Sequence, residues 1–246
     1  MSDTLTLSAP DGESFNAHVA RPVGEARGGL VVIHEIWGLT AHIVEVADRF
    51  AGEGYVVIAP DILSHGGVEP SMGAELFALM NSGDEAARTA AQPRMREALA
   101  GARAPEYATW AVGALEAAVD WLDEQPGVDG RIGVVGYCFG GTYAFLLACA
   151  DDRVRAAVPF YGTAPDAARI QSIQAPILAL YGGKDAALMD ALPTVREHMT
   201  ASGVDFTPVV YEHAAHAFFN DTGTRYDPDA AADAWQRATA FLALHL

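Results

Sequence analysis

Short apolar runs separated by helical patterns recur along most of the chain. Runs that are rich in β-branched residues and bounded by Gly, Pro or charge are typical of strands buried on both faces. Six segments have this pattern, namely 29–34, 55–59, 132–135, 154–161, 176–181 and 205–211. Near the N-terminus, residues 4–7 and 14–20 alternate between apolar and polar side chains around Asp11-Gly12, which predicts an antiparallel hairpin.

Helical periodicity fills the segments between these predicted strands. The predicted helices are 41–52, 106–125, 142–150, 188–201 and 228–246. Alternating strands and helices without a linker predict an α/β fold, with a mostly parallel sheet covered by helices on both faces, in a single domain over residues 1–246. Residues 62–105 are less regular, with short helical pieces at 74–81 and 84–99, and we expect them to cover the end of the sheet that carries the site.

The most informative stretch is Gly136-Tyr137-Cys138-Phe139-Gly140-Gly141, which directly follows a predicted strand and precedes a predicted helix. A strand, a tight glycine-flanked turn with one reactive side chain, and a helix form the pattern of a nucleophile elbow, here with cysteine in place of serine. The flanking glycines leave room for a strained turn. Backbone N–H groups at the helix N-terminus favour the thiolate form of Cys138 and can bind an oxyanion.

Two further side chains supply the chemistry that a cysteine nucleophile needs. Asp185 follows the predicted strand 176–181, and His216 lies on the loop after the predicted strand 205–211. His216 would take the thiol proton, and Asp185 would orient the imidazole ring and stabilise its charge. The order nucleophile, acid, base along the chain is that of the α/β-hydrolases, and we therefore predict that fold.

Other residues compete for these roles. His213 is an alternative base, although the small and aromatic residues after His216 favour a site-lining loop at that position. Asp190 and Asp166 are less well placed acids, and Asp185 itself could be only a turn former or a helix cap. Cys149, inside a predicted helix, has the pattern of an inert core residue.

The loop after the predicted strand 29–34 contributes two more candidates. The backbone N–H groups of Phe139 and Ile36 are the expected oxyanion donors, because one follows the nucleophile and the other lies on this loop. Glu35 places a carboxyl group at the end of a buried strand, which is costly unless the group is hydrogen-bonded. Glu35 is therefore either a buried acid satisfied by the backbone or a proton partner of the Cys138 thiol.

Composition narrows the classes of partner. The formal net charge is −17, which disfavours nucleic acid and anionic membranes and means that an anionic substrate needs a local arginine. No apolar run is long enough to span a bilayer, and no signal peptide is visible. Two cysteines that are too far apart on one helix to form a bridge indicate free thiols, and together these features favour the cytoplasm.

Five motifs resemble those of the dienelactone hydrolase family, also called carboxymethylenebutenolidases, over nearly the whole chain. They are His34-Glu35-Ile36-Trp37-Gly38, Ala59-Pro60-Asp61, Gly136-Tyr137-Cys138-Phe139-Gly140-Gly141, Gly183-Lys184-Asp185 and His216-Ala217-Phe218. The resemblance implies an α/β-hydrolase that opens cyclic enol-lactones with a triad of Cys138, Asp185 and His216. It also implies that Glu35 helps to activate the thiol when substrate binds. The resemblance further implies a monomer, without cofactor or metal, that acts on a small ester or lactone.

The resemblance is weaker where a substrate carboxylate would bind. The best-known dienelactone hydrolases carry an arginine four residues after the catalytic histidine, where this chain has Asn220. Trp37, Tyr137 and Asn220 are the expected substrate contacts. Arginines that remain candidates for a carboxylate contact are Arg88, Arg94, Arg96 and Arg103, and Arg225 is near Asn220 in sequence but not equivalent to the family's arginine.

The sequence accordingly supports hydrolysis through an acyl-enzyme more strongly than it supports a dienelactone as the substrate. A general carboxylesterase or thioesterase would use the same triad. A non-catalytic binding protein with the same fold is a further alternative, although a complete triad disfavours it. A redox thiol protein is the last alternative, and it lacks a resolving cysteine near Cys138.

Overall fold

The computed structural model describes residues 2–246, and eight strands of this part of the chain form one sheet. The strands are β1 (Ser2–Ser8), β2 (Ser14–Ala20), β3 (Gly28–Ile33), β4 (Tyr55–Pro60), β5 (Ile132–Tyr137), β6 (Val154–Phe160), β7 (Ile177–Gly182) and β8 (Phe206–Tyr211). Their order across the sheet is β1-β2-β4-β3-β5-β6-β7-β8. β2 is antiparallel to both neighbours, and the pairs from β4 to β8 are parallel. The mostly parallel sheet and the antiparallel hairpin are therefore confirmed.

Burial explains the sequence pattern of the inner strands. Every residue of β3, β4, β5 and β7 is buried. A strand that is covered on both faces has no solvent side, so its side chains are apolar without alternation. The parallel register places Val31 of β3 beside Val134 of β5, and Val135 of β5 beside Val158 of β6.

Eight α-helices surround the sheet within the same residues. They are α1 (Ala41–Gly52), α2 (Pro70–Met80), α3 (Glu85–Ala98), α4 (Tyr107–Asp123), α5 (Phe139–Ala150), α6 (Ala167–Ile170), α7 (Ala186–Ala201) and α8 (Pro228–His245). One buried cluster contains Leu115 of α4 and Phe145 of α5, and a second contains Phe50 of α1 and Leu242 of α8. Alternate residues of β3 belong to the two clusters, so helices cover both faces of the sheet.

Helix starts and single turns are where the structure departs from the sequence prediction. α2 begins at Pro70, four residues before the predicted start, because proline at the first helical position loses no intrahelical hydrogen bond. α5 begins at Phe139, directly after Cys138, instead of at residue 142. The pattern does not predict α6 or the 3₁₀ turns at Ser64–Gly66 and Gly101–Arg103, because one turn is too short to show a period.

The segment between β4 and α4 packs against the loop that follows β3. A Cβ atom on Gly73 of α2 would lie 1.8 Å from the carbonyl oxygen of Trp37, so the helix approaches that backbone as only glycine allows. Leu63, Val68 and Leu99 of this segment form a small separate buried cluster. None of the helices that the structure describes combines the length and the apolar character needed to cross a membrane.

Candidate active site

Cys138 lies in a strained turn between β5 and α5. Its backbone has φ 56° and ψ −110°, a region that non-glycine residues rarely adopt. The turn requires glycine at residue 136, because a Cβ atom there would lie 1.9 Å from the carbonyl oxygen of Gly140. A Cβ atom on Gly140 would likewise lie 2.3 Å from the carbonyl oxygen of Ile33. The backbone around Cys138 therefore has the geometry of a nucleophile elbow.

The structure brings Asp185 and His216 together with this cysteine. Nε2 of His216 lies 3.0 Å from Sγ of Cys138, and Nδ1 lies 2.5 Å from Oδ2 of Asp185. Asp185 also precedes α7, where its other oxygen accepts a hydrogen bond from the backbone N–H of Leu188 at 3.5 Å. The three side chains come from the carboxyl ends of β5, β7 and β8, as the sequence pattern predicts. They are arranged for proton transfer between sulfur and imidazole.

The competing residues lie elsewhere. His213 and Asp190 are exposed. Asp166 accepts a hydrogen bond from the backbone N–H of Arg169 at the start of α6. Cys149 is half-buried on α5 and packs against the cluster on one face of the sheet.

Cys138 is half-buried, and the carboxyl groups of Glu35 and Asp185 lie close enough to act on its sulfur, an environment that differs from the one expected from the sequence. Burial is the main reason why the pKa of the thiol rises to about 12, and the charges of Glu35 and Asp185 add to the rise. The backbone N–H groups of Phe139 and Ile36 point at the sulfur and partly oppose this effect. Helix-terminal N–H groups alone would favour the thiolate, but here the loss of solvent outweighs them, so the resting form is the thiol. The two expected oxyanion donors are thus both directed at Cys138.

Glu35 is fully buried next to this cysteine, with a hydrogen-bond donor at each carboxyl oxygen. Nδ2 of Asn220 donates to Oε2 at 2.6 Å, and the Tyr161 hydroxyl donates to Oε1 at 3.3 Å. Burial raises the pKa of Glu35 to about 7, although both donors and the charge of Arg225 lower it. Side chains therefore satisfy the carboxyl group, not the backbone as one alternative proposed, while the hydrogen-bond partner of the sulfur is His216.

A cavity of about 250 Å³ opens above the sulfur. Its lining includes Cys138, His216, Glu35, Ile36, Trp37 and Asn220. The segment 62–105 contributes Phe77, Met80, Asn81 and Met95, so it does cover this end of the sheet. Trp37 and Phe77 meet edge to face with ring centroids 5.5 Å apart. Most of the wall is apolar, which suits an uncharged ester or lactone group.

Tyr137 is not placed to contact a substrate, contrary to the prediction. Its side chain is fully buried, and it packs against Phe160 and Phe219 with ring centroids 4.6 and 5.2 Å away. The hydroxyl group has no hydrogen-bond partner. The physical reason is the pleat of β5, which turns residue 137 into the core while the next residue begins the elbow.

The arginine candidates separate clearly. Arg225 lines the cavity, and its charge acts on Glu35. Arg88 instead donates to the carbonyl oxygen of Ser82, and Arg94 pairs with Glu75 at 2.9 Å. Neither of these lines the cavity, and neither do Arg96 and Arg103.

Two contributors to the site were missed by sequence reasoning. Tyr161, directly after β6, bonds to Glu35 and packs on the imidazole of His216. Its position at the carboxyl end of a strand beside the elbow strand was a usable signal. Thr222 fixes the Asn220 amide by donating to Oδ1 from its hydroxyl at 2.6 Å and its N–H at 3.1 Å, and no sequence pattern marks it.

Across residues 2–246, no group of three or more His, Cys, Asp or Glu side chains is arranged to hold a metal ion.

The family model described as the Dienelactone hydrolase family matches residues 15–246, which is most of the chain. The protein belongs to the dienelactone hydrolase family. Its fold is accordingly the α/β-hydrolase fold, and it is a hydrolase that acts on ester or lactone bonds.

Individual members of the dienelactone hydrolase family match over almost their full length. A candidate carboxymethylenebutenolidase from Saccharolobus solfataricus is 32% identical over 254 residues, covering 94% of this chain and 95% of that protein. The carboxymethylenebutenolidase of Pseudomonas putida is 28% identical, with 99% of this chain and 97% of that protein covered. The crystal structure of a candidate dienelactone hydrolase from Klebsiella pneumoniae subsp. pneumoniae aligns with a TM-score of 0.81 at 28% identity, covering 99% of both chains.

Proposed function

We propose that the protein hydrolyses a small ester or lactone with Cys138 as nucleophile, His216 as base and Asp185 as the residue that orients His216. The supporting observation is the continuous set of contacts from sulfur to imidazole to carboxylate, at 3.0 and 2.5 Å. Nδ1–H of His216 donates to Asp185, which leaves the Nε2 lone pair free to accept the thiol proton.

Covalent catalysis then follows in two stages. Sulfur attacks the carbonyl carbon as its proton passes to His216, and the carbonyl oxygen becomes an oxyanion that the N–H groups of Ile36 and Phe139 stabilise. The bond to the leaving oxygen breaks, and His216 returns the proton to that oxygen. Water, deprotonated by His216, attacks the resulting thioester and releases the acid and the thiol.

Glu35 adjusts the proton balance of this step. A resting thiol with a pKa near 12 must lose its proton next to a carboxylate, which is unfavourable while Glu35 is charged. Uptake of a proton by Glu35 removes the repulsion, and a pKa of about 7 permits this near neutral pH. We propose that Glu35 is a proton partner that tunes Cys138 between thiol and thiolate: it takes up a proton from solvent when substrate binds, while the thiol proton itself passes to His216.

The substrate class rests on the cavity and on the relatives. A lining that is mostly apolar, with one arginine, fits a compact lactone that carries a carboxylate. The Pseudomonas putida relative is named as a carboxymethylenebutenolidase, and on this ground the enol-lactone is our first candidate. Arg225 would bind the carboxylate, since Asn220 is already hydrogen-bonded to Glu35.

The test is turnover of a dienelactone and of a p-nitrophenyl ester by the wild type, Cys138→Ala and Cys149→Ala. We expect Cys138→Ala to lose at least about a thousandfold in kcat/KM on both substrates. Cys149→Ala removes the other free thiol and is expected to retain wild-type rates. Ester turnover without dienelactone turnover would keep the mechanism and change the substrate to a simple carboxylester. Wild-type rates in Cys138→Ala would overturn the mechanism.

A further inference from the structure

Tyr161 contacts both Glu35 and His216, although it has no role of its own in the proposed mechanism. It is 1% exposed and directly follows β6. Its backbone has φ 38°, and its N–H donates to the carbonyl oxygen of Leu180 at 2.7 Å. A non-glycine residue in this region has a strained backbone, and such residues concentrate at functional sites.

The Tyr161 hydroxyl bonds to one side of the buried carboxyl group. It donates to Oε1 of Glu35, while Asn220 donates to Oε2. A buried carboxyl group without donors would be unstable, and one donor at each oxygen fixes both its plane and its direction.

The ring of Tyr161 contacts the other partner of the thiol. Its centroid lies 5.1 Å from the centroid of the His216 imidazole, at an interplanar angle of 55°. Phe218 packs edge to face against the ring of Tyr161, with ring centroids 5.5 Å apart. Asp185 contacts His216 at Nδ1, Cys138 contacts it at Nε2, and the ring of Tyr161 packs against the imidazole itself.

We propose that Tyr161 is a positioning residue for the reaction, whose hydroxyl orients the carboxyl group of Glu35 and whose ring fixes the imidazole of His216. This inference rests on the proposed function, because it acts through two members of that mechanism. The strained backbone is then explained: it directs one side chain at both groups.

Four charged or titratable side chains affect or are affected by Glu35 from the surrounding elements. Tyr161 follows β6, Tyr137 ends β5, Cys138 precedes α5, and Arg225 lies on the loop before α8. Only one of the two tyrosines donates to the carboxyl group. Loss of that donor raises the pKa of Glu35, because the charged form loses a hydrogen bond.

The experiment compares Tyr161→Phe with Tyr137→Phe in the full chain. Tyr161→Phe keeps the ring and removes the hydroxyl, and we expect the alkaline limb of the pH profile of kcat/KM, which reports loss of the Glu35 proton, to move up by about one pH unit. We expect kcat to fall while KM stays within about twofold, because the substrate-lining residues are unchanged. Tyr137→Phe removes a buried hydroxyl that has no hydrogen-bond partner, and we expect it to leave the pH profile unchanged. The ring of Tyr137 lies 6.3 Å from the ring of Tyr161 between centroids, so the two variants alter neighbouring tyrosines.

A second measurement needs no turnover, so it separates failure of this inference from failure of the proposed function. The rate of iodoacetamide alkylation of Cys138, in a Cys149→Ala background, is recorded against pH. Because the charge of Glu35 acts on the thiol, the inflection from Glu35 is expected to move in Tyr161→Phe and to remain in Tyr137→Phe. An unmoved inflection in Tyr161→Phe, or an equal shift in Tyr137→Phe, would overturn the proposal.

Discussion

The buried carboxyl group of Glu35 at the candidate active site lowers the free energy of unfolding above neutral pH. In the unfolded chain its carboxyl group would lose its proton near the ordinary pKa of 4.5, but in the folded protein burial holds the pKa at about 7. Between these two values the folded state binds more protons, so stability falls as pH rises through this window. The difference between the two pKa values corresponds to about 3 kcal/mol above pH 7.

Replacing Glu35 by glutamine is therefore expected to stabilise the protein at pH 8 by up to about 3 kcal/mol and to have little effect at pH 4. Glutamine stays neutral and keeps one acceptor oxygen, so it retains a hydrogen bond from Asn220 or from Tyr161 but not from both, which is why about 3 kcal/mol is an upper limit. The measurement is urea unfolding of both proteins across this pH range. The exposed Glu25→Gln is the control, and its difference from the wild type is expected not to grow with pH. A Glu35→Gln difference that is flat from pH 4 to pH 8 would contradict the argument.

At the scale of single residues, the sequence predicts which residues lie at the candidate site better than it predicts their protonation or the direction of their side chains. Asp185 and His216 could be placed beside Cys138 because each follows a predicted strand, and parallel strands end at one edge of the sheet. The protonation of the thiol could not be predicted, since it depends on burial and on carboxylates that come from distant parts of the chain. Tyr137 is predicted to contact the substrate but is buried in the core. In a strand whose residues are all apolar, the sequence does not show which side chains point toward the site.

Among the elements, α2 depends on one close contact. Gly73 allows the helix to lie against the Trp37 backbone, and the same loop carries Glu35 and Ile36. The rest of α2 contributes Phe77 and Met80 to the cavity. The position of the helix thus sets one wall of the site.

Gly73→Ala is expected to destabilise the protein by about 1–3 kcal/mol, because backbone atoms must move to admit the methyl group. Alanine is favoured in helices by about 1 kcal/mol, so a purely local effect would have the opposite sign. Gly52→Ala is the matched control, since that glycine ends α1 and has nothing within 4 Å of a Cβ atom. Urea unfolding and KM for a p-nitrophenyl ester report the two effects, and equal stability of the two variants would refute the close contact.

Element boundaries were predictable where a period lasted for several turns. α1 has the predicted bounds because its apolar side recurs over three turns. α2 and α3 are predicted as helical pieces, but the start of α2 is not, because the proline at residue 70 sets it and an apolar period does not. α6 lies below the length at which a period can be read.

For the whole molecule, the charge distribution opposes an anionic substrate. The formal net charge is −17, so the overall field repels a carboxylate as it approaches. Arg225 at the cavity is the local counter-charge, and it also lowers the pKa of Glu35.

Arg225→Gln is accordingly expected to raise KM for a dienelactone by about three- to tenfold and to leave KM for p-nitrophenyl acetate within about twofold. Arg94→Gln is the control, because Arg94 pairs with Glu75 away from the cavity. Steady-state kinetics on both substrates decide the matter. An equal rise for the neutral ester would mean that Arg225 supports the wall and does not bind the carboxylate.

The raised pKa of the Cys138 thiol bears on how long the protein lasts as a reagent. Because burial raises the pKa of this thiol to about 12, the resting protein carries very little thiolate at pH 7. Peroxide and electrophiles attack the thiolate, so an idle molecule offers them almost nothing to react with. We therefore expect oxidative damage to follow the number of catalytic cycles more closely than elapsed time.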